Sequence, residues 1–182
     1  PHGFTRWLAY LLSAVLIVGD QATKLWATKT LGDDSIPVLG PLLGLRLVHN
    51  PGAALSFLQG NTWVVALISL ILTVIVGVCL WRADSWNWAL PLSMAFGGGI
   101  ANLIDRVCRP PYWGGGHVVD FLDYAGFFVG NVADIFIVLG VLWVMQLVVR
   151  GIPLRQQPTT HPASPTPPDA KTASTGEEPQ SA

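Results

Sequence analysis

Five clusters of polar residues interrupt an otherwise apolar chain, and the two with most chemical content are HVVDF, carrying Asp120, and GNVAD, carrying Asn131 and Asp134. Asp134 opens the apolar run DIFIVLGVLWVM. A carboxylate there is expensive to keep, although a helix N-terminus offsets part of the cost. A simple helix cap would need no second acid. Asp120 supplies one from a separate stretch of chain, with Asp123 as the alternative candidate. Two carboxylates confined in a desolvated pocket cannot both ionise, so they share one proton. The ionised member then takes a proton from water as it attacks a carbonyl, while the protonated member hydrogen-bonds the carbonyl oxygen and later assists the leaving amine. This chemistry requires no serine or cysteine nucleophile, no metal and no cofactor. His117 lies near Asp120, but a lone histidine in a glycine-rich loop more often makes an ordinary hydrogen bond than completes a metal site.

The other three clusters are candidates to support such a pair. In GDQATKLW, Asp20 and Lys24 stand at i and i+4 on one helix face, acid before base, fitting either a structural ion pair or a substrate contact. In HNPGAALSF, Asn50 and Pro51 begin a turn that Gly52 permits. In FGGGIANLIDRV, the glycines allow close helix approach, and Asn102, Asp105 and Arg106 follow within about a turn. The rigid fork of the Arg106 guanidinium suits a main-chain carbonyl or a lipid phosphate, or else an interfacial ion pair.

The elements that must hold these residues are membrane helices. Of 182 residues, 51% are hydrophobic and 12% charged, and the mean hydropathy is +0.49, a balance unlike that of soluble domains. Spans are expected at 7–28, 62–81, 86–105 and 132–149, each near the roughly 20 residues that cross a bilayer core. Only about four residues separate the second from the third, which forces an antiparallel hairpin. The connections 29–61 and 106–131 emerge on one side. The first has the glycine, proline and alternation of short strands and turns; the second is irregular and rich in aromatics suited to the headgroup region. Lys and Arg divide five against five between the two sides, so they do not set the orientation. The formal net charge of −1 provides no field for nucleic acid. Cys79 and Cys108 form no metal or disulfide pattern and are expected to be packing residues. The apolar run after Arg6 meets Asp20 and Lys24 with no small-residue cleavage pattern, unlike a cleavable leader. Beyond Gly151, seven of the 14 prolines and many Thr, Ser and Gln mark a disordered tail, 151–182, after a membrane domain, 1–150.

Taken in order over residues 7–149, the five clusters resemble the lipoprotein signal peptidases. GDQATKLW is similar to that family's Asp-x-x-x-Lys block, HNPGAALSF to its Asn-x-Gly-Ala block and GGGIANLIDRV to its Asn-x-x-Asp-Arg block; HVVDF and NVAD resemble the blocks that each hold one catalytic aspartate. The resemblance implies an all-α membrane fold of four transmembrane helices in the bacterial cytoplasmic membrane, with both termini cytoplasmic. It also implies a small extracytoplasmic β-cradle at about 29–61 and an outer loop or short helix. The reaction implied is aspartic endopeptidase cleavage of diacylglyceryl-modified prolipoproteins just before the lipid-bearing cysteine, with Asp120 and Asp134 catalytic. Asn102, Arg106, Asn131, Asn50, Asp20 and Lys24 would bind substrate or support the pair. Membrane lipids and globomycin-type inhibitors are the other implied partners. The chain departs from the family's usual pattern at Ala101, Leu55 and Gly130, affecting local packing.

Two other functions fit less of the sequence. A small transporter or proton channel could string Asp20, Asp105 and Asp134 into a relay, but interrupted or repeated helices are not evident. A presenilin-like protease would carry Gly-x-Gly-Asp, which the chain lacks.

Overall fold

The computed structural model describes residues 2–52 and 61–155, without the side chain of His2. In chain order it contains α1 (His2–Thr30), β1 (Ile36–Leu39), β2 (Leu43–Asn50), α2 (Thr62–Arg82), α3 (Trp86–Cys108), β3 (Val118–Tyr124), β4 (Phe128–Gly130) and α4 (Val132–Val149). Leu55 and the tail from residue 156 onward lie outside the described residues.

Among the described residues, α1, α2 and α4 are long and apolar enough to cross a membrane. They keep large apolar side chains such as Leu11, Val18, Ile71, Val74 and Leu142 on the outside, as a hydrocarbon solvent allows and water does not. The helix α3 occupies the third expected span but is less apolar, and its position explains why. It packs against all three other helices and buries eleven residues, against four in α2 and three in α4. A helix sheathed by protein needs small side chains more than greasy ones. Its three successive glycines each open towards a different neighbour. A Cβ on Gly97 would meet the Ser13 backbone of α1 at 3.1 Å, one on Gly98 the Ala133 carbonyl of α4 at 2.6 Å, and one on Gly99 the Thr73 hydroxyl of α2 at 2.5 Å.

The four strands form one antiparallel sheet in the order β1-β2-β3-β4. The cradle expected at 29–61 is therefore only half supplied by that connection. The other half comes from 106–131, read from sequence as irregular. Its strands are defined by pairing with β2, some seventy residues away, as in Val48 opposite Asp120 and Asn50 opposite Val118, and such a partner leaves no local pattern. The pairing also confirms that both connections lie at one end of the bundle. Helix α3 continues past the expected residue 105 to Cys108, which is exposed rather than packed; Cys79 is half-buried. At the other end of the bundle, Arg6 pairs with Asp84 at 3.2 Å, and Ile152 and Leu154 fold back onto the cluster of Leu80, Ala83, Trp88 and Leu147.

Candidate active site

At the sheet end of the bundle, β3 and the start of α4 bring Asp120 and Asp134 to one place. The chain leaves β4 at Gly130 and enters α4 at Val132, so Asn131 is its N-cap. The Asn131 side chain accepts from the Asp134 backbone N–H at 3.0 Å, and the Asp134 carboxylate accepts from the Asn131 backbone N–H at 3.1 Å. This reciprocal capping box fixes Asp134 at the first turn, where the helix dipole favours an anion.

Three asparagines aim their amide N–H groups at the two acids. Asn50 Nδ2 donates to Asp120 Oδ2 at 2.8 Å, and Asn131 Nδ2 to Asp120 Oδ1 at 2.6 Å. Asn102 Nδ2 donates to Asp134 Oδ1 at 2.8 Å. A carboxamide can flip, so each needs something to hold it this way round. In every case a group that can only donate occupies its oxygen. The Gly52 N–H binds Asn50 Oδ1 at 2.8 Å, the Asp134 N–H binds Asn131 Oδ1, and the Lys24 ammonium binds Asn102 Oδ1 at 2.9 Å. Asn131 Nδ2 also reaches Asn102 Oδ1 at 3.2 Å, linking the two halves of the site.

Behind the asparagines lies a buried ionic cluster. Lys24 contacts Asp20 at 2.7 Å and Asp105 at 2.9 Å, with all three side chains at most 1% exposed. Asp20 accepts from the Ala133 N–H at 2.8 Å, holding the start of α4. Asp105 accepts from Arg109 at 2.8 Å, from Gln21 at 3.1 Å and from the Val119 N–H at 3.2 Å, holding β3 next to Asp120. Four carboxylates (Asp20, Asp105, Asp120 and Asp134) thus face three cations (Lys24, Arg106 and Arg109). A single proton on Asp120 or Asp134 neutralises the group. Burial, aided by the charge of Asp134, raises the Asp120 pKa from 3.8 to about 6, against the lowering effect of Asn50, Asn131 and Lys24.

The structure brings together every residue singled out from sequence as catalytic or supporting: Asp120, Asp134, Asn102, Arg106, Asn131, Asn50, Asp20 and Lys24. Arg106 is 6% exposed, within electrostatic reach of Asp120, Asp105 and Asp134, and among the described residues its Nε and Nη1 have no hydrogen-bond partner. The interfacial ion pair that is the alternative reading of this cluster does form, but between Asp105 and Arg109, one turn on, and with Lys24. Asp123 is separate from the pair; it accepts from the Gly126 N–H at 2.9 Å and lies 3.6 Å from Arg46. Gly130 bears on the site more directly than its reading as local packing suggests, since a Cβ there would stand 3.1 Å from Asp134 Oδ2. Sequence reasoning gave no site role to Gln21 or Arg109. The i, i+4 spacing of Asp105 and Arg109 was the available signal for one; nothing local marks the other.

Residues 12–150 match the family described as signal peptidase (SPase) II. The lipoprotein signal peptidase of Bifidobacterium longum subsp. infantis is 43% identical over 146 residues, covering 80% of this chain and 79% of that protein. The lipoprotein signal peptidase of Mycobacterium leprae is 40% identical over 153 residues, covering 80% and 74%. A bacterial membrane enzyme solved by the in meso method at 1.9 Å superposes with a TM-score of 0.68 at 25% identity, covering 79% of this chain and 93% of that one.

Proposed function

Because the chain belongs to the signal peptidase II family and is a membrane peptidase, we propose that it works as an aspartic endopeptidase, removing the signal peptide from diacylglyceryl-modified prolipoproteins just before the lipidated cysteine. The observation that carries this reading is the meeting of Asp120 and Asp134, from separate elements, around the side chain of Asn131.

In this mechanism the pair holds one proton. The ionised aspartate takes a proton from a water whose oxygen attacks the scissile carbonyl, and the protonated aspartate donates a hydrogen bond to the carbonyl oxygen. The tetrahedral diol then collapses, the C–N bond breaks, and the amide nitrogen leaves with a proton supplied by the pair. The products are the carboxylate of the signal peptide and the free amine of the lipidated cysteine. Asn50, Asn102 and Asn131 hold the carboxylates at fixed angles, and in this reading Arg106, whose buried Nε and Nη1 have no hydrogen-bond partner among the described residues, binds a substrate carbonyl.

The proposal includes the membrane arrangement. Helix α3 serves as the fourth span, shielded from lipid by the other three, within a domain of residues 1–150. Both termini and the tail 151–182 are cytoplasmic, and the site opens near the outer face of the bacterial inner membrane. A lipidated substrate enters sideways from the bilayer, its acyl chains contributing about 0.8 kcal/mol per buried methylene. Inhibition by globomycin-type antibiotics belongs to the same reading.

The test replaces Asp120 or Asp134 by Asn in the purified protein and measures cleavage of a diacylglyceryl-modified precursor peptide. Each variant should lose turnover while still unfolding in a cooperative thermal transition. Retained turnover in both would remove the two-carboxylate mechanism.

A further inference from the structure

The Lys24 ammonium sits in the interior with no exposure, which is costly for a long charged side chain unless it is paired. Three oxygens surround it: it donates a hydrogen bond to Asn102 Oδ1 at 2.9 Å and forms ion pairs with Asp20 Oδ2 at 2.7 Å and Asp105 Oδ2 at 2.9 Å. Each partner then reaches a different part of the site. Asp20 binds the Ala133 N–H at the start of α4, Asp105 binds the Val119 N–H beside Asp120, and Asn102 binds the Asp134 carboxylate itself.

The three asparagines that contact the acids differ in one respect. Asn50 and Asn131 are held the right way round by backbone N–H groups, which side-chain changes other than to proline leave in place. Asn102 is held by Lys24. Its second contact, from Asn131 Nδ2 at 3.2 Å, is longer and is shared with Asp120. Were the Asn102 amide to flip, its oxygen would face Asp134 Oδ1 and its NH2 would face an ammonium and another NH2. Both contacts would become repulsive.

We infer that Lys24 is a positioning residue for the proposed reaction: by donating to Asn102 Oδ1 it locks the Asn102 carboxamide so that Nδ2 presents to Asp134. The inference rests on the aspartic reading above. It assigns to an α1 side chain the orientation of a carboxylate on α4, through an amide on α3. Substrate contact plays no part in it.

The experiment is a double-substitution cycle on the full chain. Lys24→Gln alone leaves two buried acids short of a cation, so the charge-balanced Lys24→Gln/Asp20→Asn protein is the main variant; Asn at position 20 can still accept from the Ala133 N–H. A neutral Gln lacks the donor-only character that forbids the flipped amide. The kcat for a diacylglyceryl-modified peptide should fall roughly tenfold to hundredfold, the scale on which lost support of a functional ligand is felt, with KM unchanged. In an Asn102→Ala background the same two changes should cost kcat far less, because the group they act through is gone. All rates are normalised to the folded fraction measured by thermal unfolding. Wild-type kcat in the charge-balanced variant, or a loss that multiplies fully with that of Asn102→Ala, would overturn the inference. Asp134→Asn is assayed in parallel, and turnover there would count against the two-carboxylate reading, whatever Lys24 does.

Discussion

Substituting Gly98 by Ala tests whether the close contact between α3 and α4 sets the position of Asp134. An added Cβ would stand 2.6 Å from the Ala133 carbonyl oxygen and 2.7 Å from Ile137 Cγ1. Ile137 can change rotamer, but the carbonyl is backbone. Reaching a separation of 3.0–3.4 Å requires α4 to retreat by about 0.4–0.8 Å at Ala133, the residue preceding Asp134. A misplacement of about 1 Å at a reacting group costs on the order of a hundredfold, so scaling the logarithm linearly gives roughly a sixfold to fortyfold loss of kcat. Overpacking also destabilises by about 1–3 kcal/mol. Two companion variants separate rate from stability. Gly140→Ala meets the Pro91 carbonyl at 2.6 Å in the same interface, but roughly 10 Å further along α4 at 1.5 Å per residue; it should lower the unfolding midpoint and spare kcat. Gly99→Ala meets only the Thr73 side chain, which can turn aside. The assay is kcat on a lipidated precursor peptide, with thermal unfolding on the same preparation. Wild-type kcat in Gly98→Ala, or an equal kcat loss in Gly140→Ala, would refute the reasoning.

The pH dependence follows from Asp120. Its folded value of about 6 lies above the ordinary 3.8, so the folded state binds this proton more tightly than the unfolded chain does. The resulting stabilisation is full below 3.8 and is lost as pH rises through about 6, and the midpoint of the wild type relative to Asp120→Asn should decline across that window. If the pair needs one proton, activity should fall on the alkaline side. Asn50→Ala, which removes an amide that lowers the Asp120 value, should move that limb to higher pH; a limb that stays put or moves down contradicts the assignment. Replacing Asp105 by Ala strips an acceptor from Lys24, Arg109, Gln21 and the Val119 N–H, and should destabilise by about 3–5 kcal/mol. Asp105→Asn, which keeps an acceptor, should cost clearly less in a thermal melt; equal losses would mean that the carboxylate charge, not the retained acceptor, holds the cluster together.

Helices α1, α2 and α4 were legible because lipid-facing side chains write their burden into composition: the uncharged run TWVVALISLILTVIVGVCLW became α2 within a residue of its expected bounds. The polar site residues were legible for the opposite reason, since an ionisable group among apolar neighbours is costly and stands out. What could not be read was pairing. Whether Asp105 would take Arg106, Arg109 or Lys24 depended on helix rotation, and α1 settles it by bringing Lys24 across from about eighty residues away. The strands β3 and β4 were hidden likewise, because VVDFLDY shows little alternation and is buried on both faces over much of its length. Among the described residues, the amide orientations at Asn50, Asn102 and Asn131 have no signature in sequence at all; they follow from which donor-only group happens to lie behind each one.

Only residues 83–85 separate α2 from α3, too few for the two helices to enter a bilayer independently. On the proposed four-span arrangement, Asp105 and Arg106 would weigh against α3 partitioning alone, at up to about 2.5–3.5 kcal/mol for each charge near the centre of a helix. The surplus apolarity of α2 compensates for that penalty within a single hairpin. During biogenesis the pair would therefore leave the translocon together, and a long hydrophilic insert between Ala83 and Ser85 would strand α3 outside the membrane.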